Sequence, residues 1–211
     1  MSARRSLLVL TSCTSRKARA LHPLRAERLY EGQQHVRLMR GVAAYRAARV
    51  KHPHRPGLDL YIVSAGFGVV RGAARLPAYD ASFSSMSRSQ ARALSDELGI
   101  EIAVRRLLER SFELALVLLG EPYLDAVRYL ADIDFGGHTV VLCGRRASLV
   151  LPRHPRLSTV VLDVPAARAF RCGHVGLKGE VAARILECLA EGRAAPGCAQ
   201  DALNLPGLVA A

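Results

Sequence analysis

Residues 6–17 read SLLVLTSCTSRK, an apolar run that passes into small polar residues and then two cations. An unbroken apolar run is typical of a strand that is buried on both faces, as in a parallel sheet. The pattern recurs at residues 58–68, LDLYIVSAGFG, where the second run ends in serine and glycines. Ligands of open α/β sheets bind at the carboxyl ends of the strands. These two loops therefore predict a ligand pocket at one edge of a sheet.

Apolar periodicity predicts alternating strands and helices along the chain. The predicted strands are 6–11, 58–64, 113–119, 139–143 and 159–163. The predicted helices are 24–50, a helix capped by Ser87 that runs to 109, 122–130, a short one after Gly144, and 179–191. Long loops are expected at 65–86 and 164–178. This order predicts a three-layer α/β/α sandwich with a mostly parallel central sheet, in one domain over 1–211 whose residues 194–211 form a C-terminal strap.

Positive charge is concentrated at the start of the chain. The formal net charge is +12, and residues 1–60 hold 13 Lys and Arg against 3 Asp and Glu, a net of +10. A one-sided basic field attracts polyanions. An arginine-rich composition throughout is the alternative, but residues 61–211 are close to balance, with 17 cations against 15 acids. We expect double-stranded DNA as a partner.

Cysteine and apolar content favour a cytoplasmic protein without a cofactor. The five cysteines are odd in number and lack paired spacing, and the chain has neither Cys-x-x-Cys nor His-Glu-x-x-His. A disulfide framework and a structural metal are therefore not expected. No apolar run approaches the roughly 20 residues that span a bilayer, and the stretch after Arg4 and Arg5 is too short for a signal peptide. We expect a monomer with no membrane partner.

The first polar loop contains a hydroxyl, a thiol and two cations, on Ser12, Cys13, Arg16 and Lys17. As a pocket floor, this loop would direct Lys17 or Arg16 at a phosphate or a base carbonyl. The alternative is a solvated turn with a basic flank. Cys13 is either a nucleophile or a buried, inert thiol, and the sequence places no histidine beside it.

The second polar loop combines Ser64 with Gly66 and Phe67. Glycine lets a backbone approach a ligand closely, and a phenyl ring in a polar loop can stack on a base. The alternative is a turn whose Phe67 packs back into the core. Tyr79 and Asp80 follow, and a carboxylate in a pocket can orient water or stabilise a developing cation. Asp80 can instead form an Asx turn or cap a helix.

A third polar loop precedes the last predicted helix and offers Arg171, His174 and Lys178 as contacts for DNA phosphates. Phe170 or Leu177 can wedge into a base stack. A lone histidine is usually structural, whereas His174 is flanked by glycine and cations, which favours a functional role.

The order of elements resembles the uracil-DNA glycosylase-like superfamily, and three motifs resemble those of a small bacterial family of uncharacterised domains. The motifs are Ser12-Cys13-Thr14 with Lys17, Ser64-Ala65-Gly66-Phe67-Gly68, and Pro77-Ala78-Tyr79-Asp80. The spacing of Cys13 and Lys17 is similar to that in the glycosylase-like domain of archaeosine synthases, but Ala18-Arg19 replaces the adjoining Pro-Tyr, so lysine transfer does not carry over. The chain also lacks the Gln-Asp-Pro-Tyr-His and His-Pro-Ser-Pro motifs of the ordinary uracil enzymes.

The resemblance implies a DNA N-glycosylase that flips and excises a modified base. Anti-phage members of the superfamily remove glucosylated hydroxymethylcytosine, which makes this base the expected substrate and abasic sites the expected product. Asp80 would be catalytic. The base or its sugar would contact Ser12, Cys13, Lys17, Ser64, Gly66, Phe67 and Tyr79, and DNA would contact Arg16, Arg171, His174 and Lys178. The alternatives are a nucleotide or 7-deazaguanine-modifying transferase, and a non-catalytic DNA-binding stress protein.

Overall fold

The computed structural model describes residues 6–193, so Arg4, Arg5 and the predicted strap at 194–211 lie outside the described residues. The described residues form eight strands: β1 Ser6–Ser12, β2 Leu24–Arg25, β3 Gly57–Ser64, β4 Gly68–Arg71, β5 Arg75–Leu76, β6 Leu114–Leu118, β7 His138–Cys143 and β8 Leu157–Val161. Six of them form one sheet in the order β4-β3-β1-β6-β7-β8, and β2 pairs with β5. Within the large sheet only β4 is antiparallel to its neighbour, which confirms a mostly parallel sheet.

Helices cover both faces of this sheet. They are α1 Ala26–Leu29, α2 Gln33–Lys51, α3 Arg88–Glu97, α4 Ile100–Leu108, α5 Glu121–Ala126, α6 Arg145–Ser148, α7 Val164–Ala169 and α8 His174–Ala190. Successive side chains of a strand point to opposite faces. Accordingly, Leu8 and Leu10 pack in a core with α3, α4 and α5, whereas Leu7 and Val9 pack in a second core with α2 and α8. The α/β class with three layers is confirmed.

Three predicted helices are interrupted. The one expected at 122–130 ends as α5 at Ala126, and a separate 3₁₀ turn spans Arg128–Leu130. The helix expected at 24–50 was wrong as a continuous element, because α1 ends at Leu29 and α2 begins only at Gln33. Tyr30 between them is extended and forms a backbone bridge with Lys17. The helix expected from Ser87 to 109 divides at Gly99, whose φ of +60° lies in the left-handed region that favours glycine. The predicted Ser87 cap is confirmed, as part of a capping box.

The two predicted long loops were also wrong in part. Within 65–86, β4 turns back on β3 as a hairpin, and a short 3₁₀ helix spans Phe83–Ser85. Within 164–178, α7 forms because the Asp163 side chain accepts the N–H of Ala166, the bond that marks a helix N-cap. Since α8 begins at His174, Lys178 lies in a helix and not in a loop.

The strand order places the expected ligand-binding crevice at the carboxyl end of β1. Of the parallel strands, β3 lies on one side of β1 and β6 on the other. The connections from these strands therefore leave in opposite directions, which opens a crevice at their carboxyl ends. Backbone pairing continues past β1, because the N–H of Cys13 donates to the carbonyl of Val63 at 2.8 Å. The residues that follow β1 and β3 are thus held next to each other.

A buried carboxylate joins α2 to α8. Glu180 is 3% exposed and accepts hydrogen bonds from Arg37 at 2.7 Å, Arg40 at 2.9 Å and Arg184 at 3.2 Å. Burial alone would raise the pKa of Glu180, but hydrogen bonds from Arg40, Arg37 and Arg184 outweigh it and lower the pKa to about 2. The ionised form of Glu180 therefore stabilises the helix pair at neutral pH.

Glu180→Gln is expected to lower the free energy of unfolding at pH 7 by about 2 kcal/mol. Breaking a fully buried ion pair costs roughly 3–5 kcal/mol, and the half-exposed arginines here reduce that cost. Because the folded pKa lies below the ordinary 4.5, the contribution is fully present above pH 4.5 and is lost as the pH falls towards 2. Urea unfolding across this range measures it, with exposed Glu97→Gln as the control. A deficit that does not shrink with falling pH contradicts the prediction.

Candidate functional site

Lys17 brings the first polar loop into contact with the segment that carries Asp80. Its Nζ donates a hydrogen bond to the carbonyl of Ala81 at 3.1 Å and lies 4.3 Å from the centroid of the Tyr79 ring. An ammonium over an aromatic face is attracted by the negative face of the ring. The residues after β1 and the residues after β5, about sixty positions apart in the chain, therefore form one structure.

A hydroxyl network fixes Tyr79. Its hydroxyl lies 2.7 Å from Ser64 Oγ and 3.0 Å from the hydroxyl of Tyr30. Ser64 Oγ also accepts the backbone N–H groups of Gly66 and Phe67, at 3.2 and 3.1 Å, so its own proton is available to Tyr79. Burial, followed by the nearby Cys13 thiol, raises the pKa of Tyr79. The phenol stays protonated at neutral pH and serves to position its ring.

The absence of a side chain at Gly66 leaves room for the Tyr79 ring. A Cβ atom at Gly66 would lie 2.6 and 2.8 Å from two carbon atoms of that ring, closer than carbon atoms pack. Phe67 meets the same ring edge-on, with centroids 5.0 Å apart, and is 39% exposed. The Phe67 ring therefore packs on Tyr79 and keeps an accessible surface.

A cleft of about 960 Å³ opens beside the Tyr79 ring, and Ser64, Gly66 and Phe67 of the predicted site do not line it. It is lined by residues 15–19, Glu31 and residues 78–80, so Arg16, Lys17, Tyr79 and Asp80 of the predicted site all face it. Arg16 pairs with Glu31 at 3.4 Å and is mostly exposed. Asp80 is exposed, and its carboxylate makes no hydrogen bond or ion pair with any residue between 6 and 193. Its oxygens are available to a ligand.

Ser12 and Cys13 lie beneath this cleft and do not line it. Both are buried, and Cys13 Sγ lies 2.9 Å from the hydroxyl of Tyr123, which donates to the Cys13 carbonyl at 3.2 Å. Burial, with the Cys13 thiol next, raises the pKa of Tyr123. The structure thus gives Cys13 a packing partner on α5, in the part of the chain it describes.

The third predicted group stands apart from the cleft. Arg171, at a positive φ of 46°, and His174, the first residue of α8, are both exposed. The Nζ of Lys178 instead turns inward and donates to the carbonyl of Leu119 at 2.6 Å. Burial lowers the pKa of Lys178 to about 8. None of the three lines the cleft that contains Asp80.

Several residues of the site have no signal of their own in the sequence. Tyr30 was placed inside a predicted helix, although it is extended and bonds to Tyr79. Tyr123 reaches Cys13 from 110 residues away. Arg19 and Glu31 line the cleft without belonging to any of the three motifs. The predicted strand-end loops nevertheless lie together with the cleft, at the carboxyl ends of β1 and β3.

No family model, curated protein or solved structure matches this chain. Within residues 6–193, no three His, Cys, Asp or Glu side chains are grouped so that they could hold a metal ion. The described helices include none that is long and apolar enough to cross a membrane. Residue chemistry and geometry therefore carry the functional argument.

Proposed function

We propose that this protein is a DNA N-glycosylase that flips a modified base, with alpha-glucosylated hydroxymethylcytosine as the expected substrate, and excises it from phage DNA. The observation that carries the proposal is the exposed carboxylate of Asp80, which lines a cleft beside a lysine held on an aromatic ring. A base inside a duplex is out of reach of such a cleft, so it must leave the stack first. The product is an abasic site, and the biological role is defence against phage.

The cleft supplies the two charges that N-glycosidic cleavage needs. As the bond breaks, its electron pair leaves with the base and the sugar acquires oxocarbenium character. The Asp80 carboxylate stabilises that positive charge or accepts a proton from the water that adds to C1′. Lys17 uses one N–H on Ala81 and has two more, one of which can donate to the departing base. Tyr79 lines the cleft and gives the flipped base an aromatic contact, and the exposed part of Phe67 lies next to Tyr79 outside the cleft lining.

DNA phosphates would bind to the basic side chains that do not already form an ion pair with a carboxylate. Among the basic residues of 1–60, at least five form ion pairs with glutamates: Arg16, Arg25, Arg37, Arg40 and Arg46. Lys17 and Arg19 line the cleft without an acidic partner in the described chain. Arg171 and His174 extend the proposed contact, and Arg16 would join it only by exchanging its exposed ion pair with Glu31 for a phosphate, while Lys178 supports the strand ends.

Affinity for duplex DNA is expected to fall as the salt concentration rises. Each phosphate contact contributes about −0.9 to the slope of log affinity against log salt concentration. Since many of the N-terminal arginines are ion-paired, we expect the slope to correspond to only a few contacts. Fluorescence anisotropy over a salt series measures it, and Lys17→Ala or Arg19→Ala should each reduce the slope by about 1. A slope near zero would show that this surface does not bind DNA.

Released bases identify the reaction directly. The protein is incubated with DNA carrying glucosylated hydroxymethylcytosine, with uracil DNA and with unmodified DNA, and mass spectrometry identifies free bases. Release of the glucosylated base alone supports the proposal, whereas equal release of uracil replaces it with ordinary uracil repair. A base altered but still attached indicates the transferase alternative. Binding without any release indicates the non-catalytic stress protein.

A further inference from the structure

Leu21 has the most exposed of the large hydrophobic side chains in the described chain, at 99%. It lies between Lys17 and β2, two positions after Arg19, which lines the cleft together with Asp80. Two residues of extended chain span at most about 7 Å, so Leu21 lies at the edge of the cleft. A single exposed leucine is ordinary on a protein surface, and its significance here depends on the loop that carries it.

The loop of residues 18–23 is fixed at both ends. At one end, the N–H of Ala18 donates to the carbonyl of Leu29 at 2.8 Å. At the other end, the Arg75 guanidinium donates to the carbonyl of Pro23 at 3.4 Å, and β2 pairs with β5. The Pro23 ring also restricts the backbone of the residue before it. The fixed ends therefore present Leu21 to solvent at a defined place beside the cleft.

Basic side chains flank Leu21 on both sides in the chain. Arg19 precedes it, Arg25 follows it, and Arg75 is paired with Arg25 across β2 and β5. All three are exposed, and residues 18–26 contain no acidic residue. Arg25 has Glu27 at 3.7 Å but keeps 56% of its side chain exposed. Cations that contact phosphates, with an apolar side chain between them, are typical of proteins that insert a wedge between base pairs.

The two apolar residues that the sequence suggested as a wedge are buried. Phe170 is 9% exposed and Leu177 1% exposed, and both pack in the core with α2 and α8, so that prediction was wrong. Phe67 is partly exposed, but its ring packs edge-on against Tyr79. Leu21 is the apolar side chain beside the cleft that can enter DNA without giving up packing inside the protein.

We propose that Leu21 enters the DNA base stack at the position that the flipped base has left, while Arg19 and Arg25 contact the phosphates beside it. The inference rests on the proposed function, because base flipping is what leaves such a gap. A flipped base can return to the stack, and an apolar side chain in its place prevents that return. Insertion also removes the leucine side chain from water, which favours the inserted state.

A duplex with a tetrahydrofuran abasic-site analogue tests the wedge without catalysis, since its stack already has a gap. By fluorescence anisotropy, the wild-type chain should bind this duplex about tenfold more tightly than the intact duplex, because only the gap buries the leucine. Leu21→Ala should lose that preference and keep its affinity for the intact duplex within about twofold. Leu149→Ala, at another exposed leucine, should behave like the wild type. No preference in the wild type, or a preference that Leu21→Ala retains, would overturn the assignment.

Base release from glucosylated DNA separates the wedge from the chemistry. Leu21→Ala should slow release from the duplex by about tenfold and leave release from the single strand unchanged, because a single strand has no partner strand to hold the base in place. An equal loss on both substrates would overturn the wedge. Loss of the gap preference in Leu21→Ala, with no base release by the wild type, supports the wedge and refutes the glycosylase. Base release from the duplex that Leu21→Ala does not slow refutes the wedge and keeps the glycosylase.

Discussion

Asp80→Asn is expected to slow excision of the modified base by about 100-fold or more. Loss of a group that stabilises charge in the transition state typically costs on this order. Asparagine keeps the shape of the side chain but has neither the negative charge for an oxocarbenium-like sugar nor the basicity to accept a proton from water. Because the Asp80 carboxylate makes no bond within residues 6–193, the change should leave folding intact.

Single-turnover base release from glucosylated DNA measures this effect, and DNA affinity and thermal unfolding are measured alongside. Asp134→Asn is the matched control, since Asp134 is exposed and lies just before β7, at the opposite edge of the sheet. Near-normal base release by Asp80→Asn, with the DNA still bound, would remove Asp80 from the mechanism.

Gly66→Leu is expected to reduce activity on the glucosylated base by about 100-fold, because misplacement of binding groups by about 1 Å can cost that much. The new Cβ would collide with the Tyr79 ring, which cannot move without losing its bonds to Ser64 and Tyr30. Lys17 lies over the same ring, so its ammonium would shift as well. The substitution should lower activity more than the free energy of unfolding, since Tyr79 lies at the edge of the core.

Gly57→Leu provides the comparison, because a Cβ at Gly57 meets nothing within 4 Å. Both variants are assayed for base release from glucosylated DNA, and uracil and unmodified DNA serve as substrates that should not react. If Gly66→Leu retains wild-type activity, the Tyr79 ring is not part of the base pocket.

The local sequence predicted those elements whose structure depends only on neighbouring backbone groups and on burial away from water. The continuous apolar run of β1 requires burial on both faces, which is why the parallel sheet and its polar edge could be predicted. The Ser87 cap was equally predictable, since the capping box is a bond between residues three apart. Predictions failed where a distant partner overrides local preference. Tyr30 leaves the helix to pair with Lys17. The hairpin strand β4 was missed for another reason, since its partner β3 ends at Ser64, only four positions before Gly68, and the glycine, serine and proline content of the segment favoured a loop.

The candidate site also has one part that the sequence predicts and another that only the tertiary structure determines. Hydrophobic periodicity, glycine and charge are properties of short segments, and they suffice for the α/β class, for the strand-end loops and for Asp80 as a candidate. The geometry of those loops depends on pairs of side chains far apart in the chain, such as Cys13 with Tyr123 and Lys17 with Ala81. Only packing brings such pairs within hydrogen-bond distance. Packing likewise turned Lys178 inward to Leu119, because burial and hydrogen bonding are settled by the folded chain as a whole.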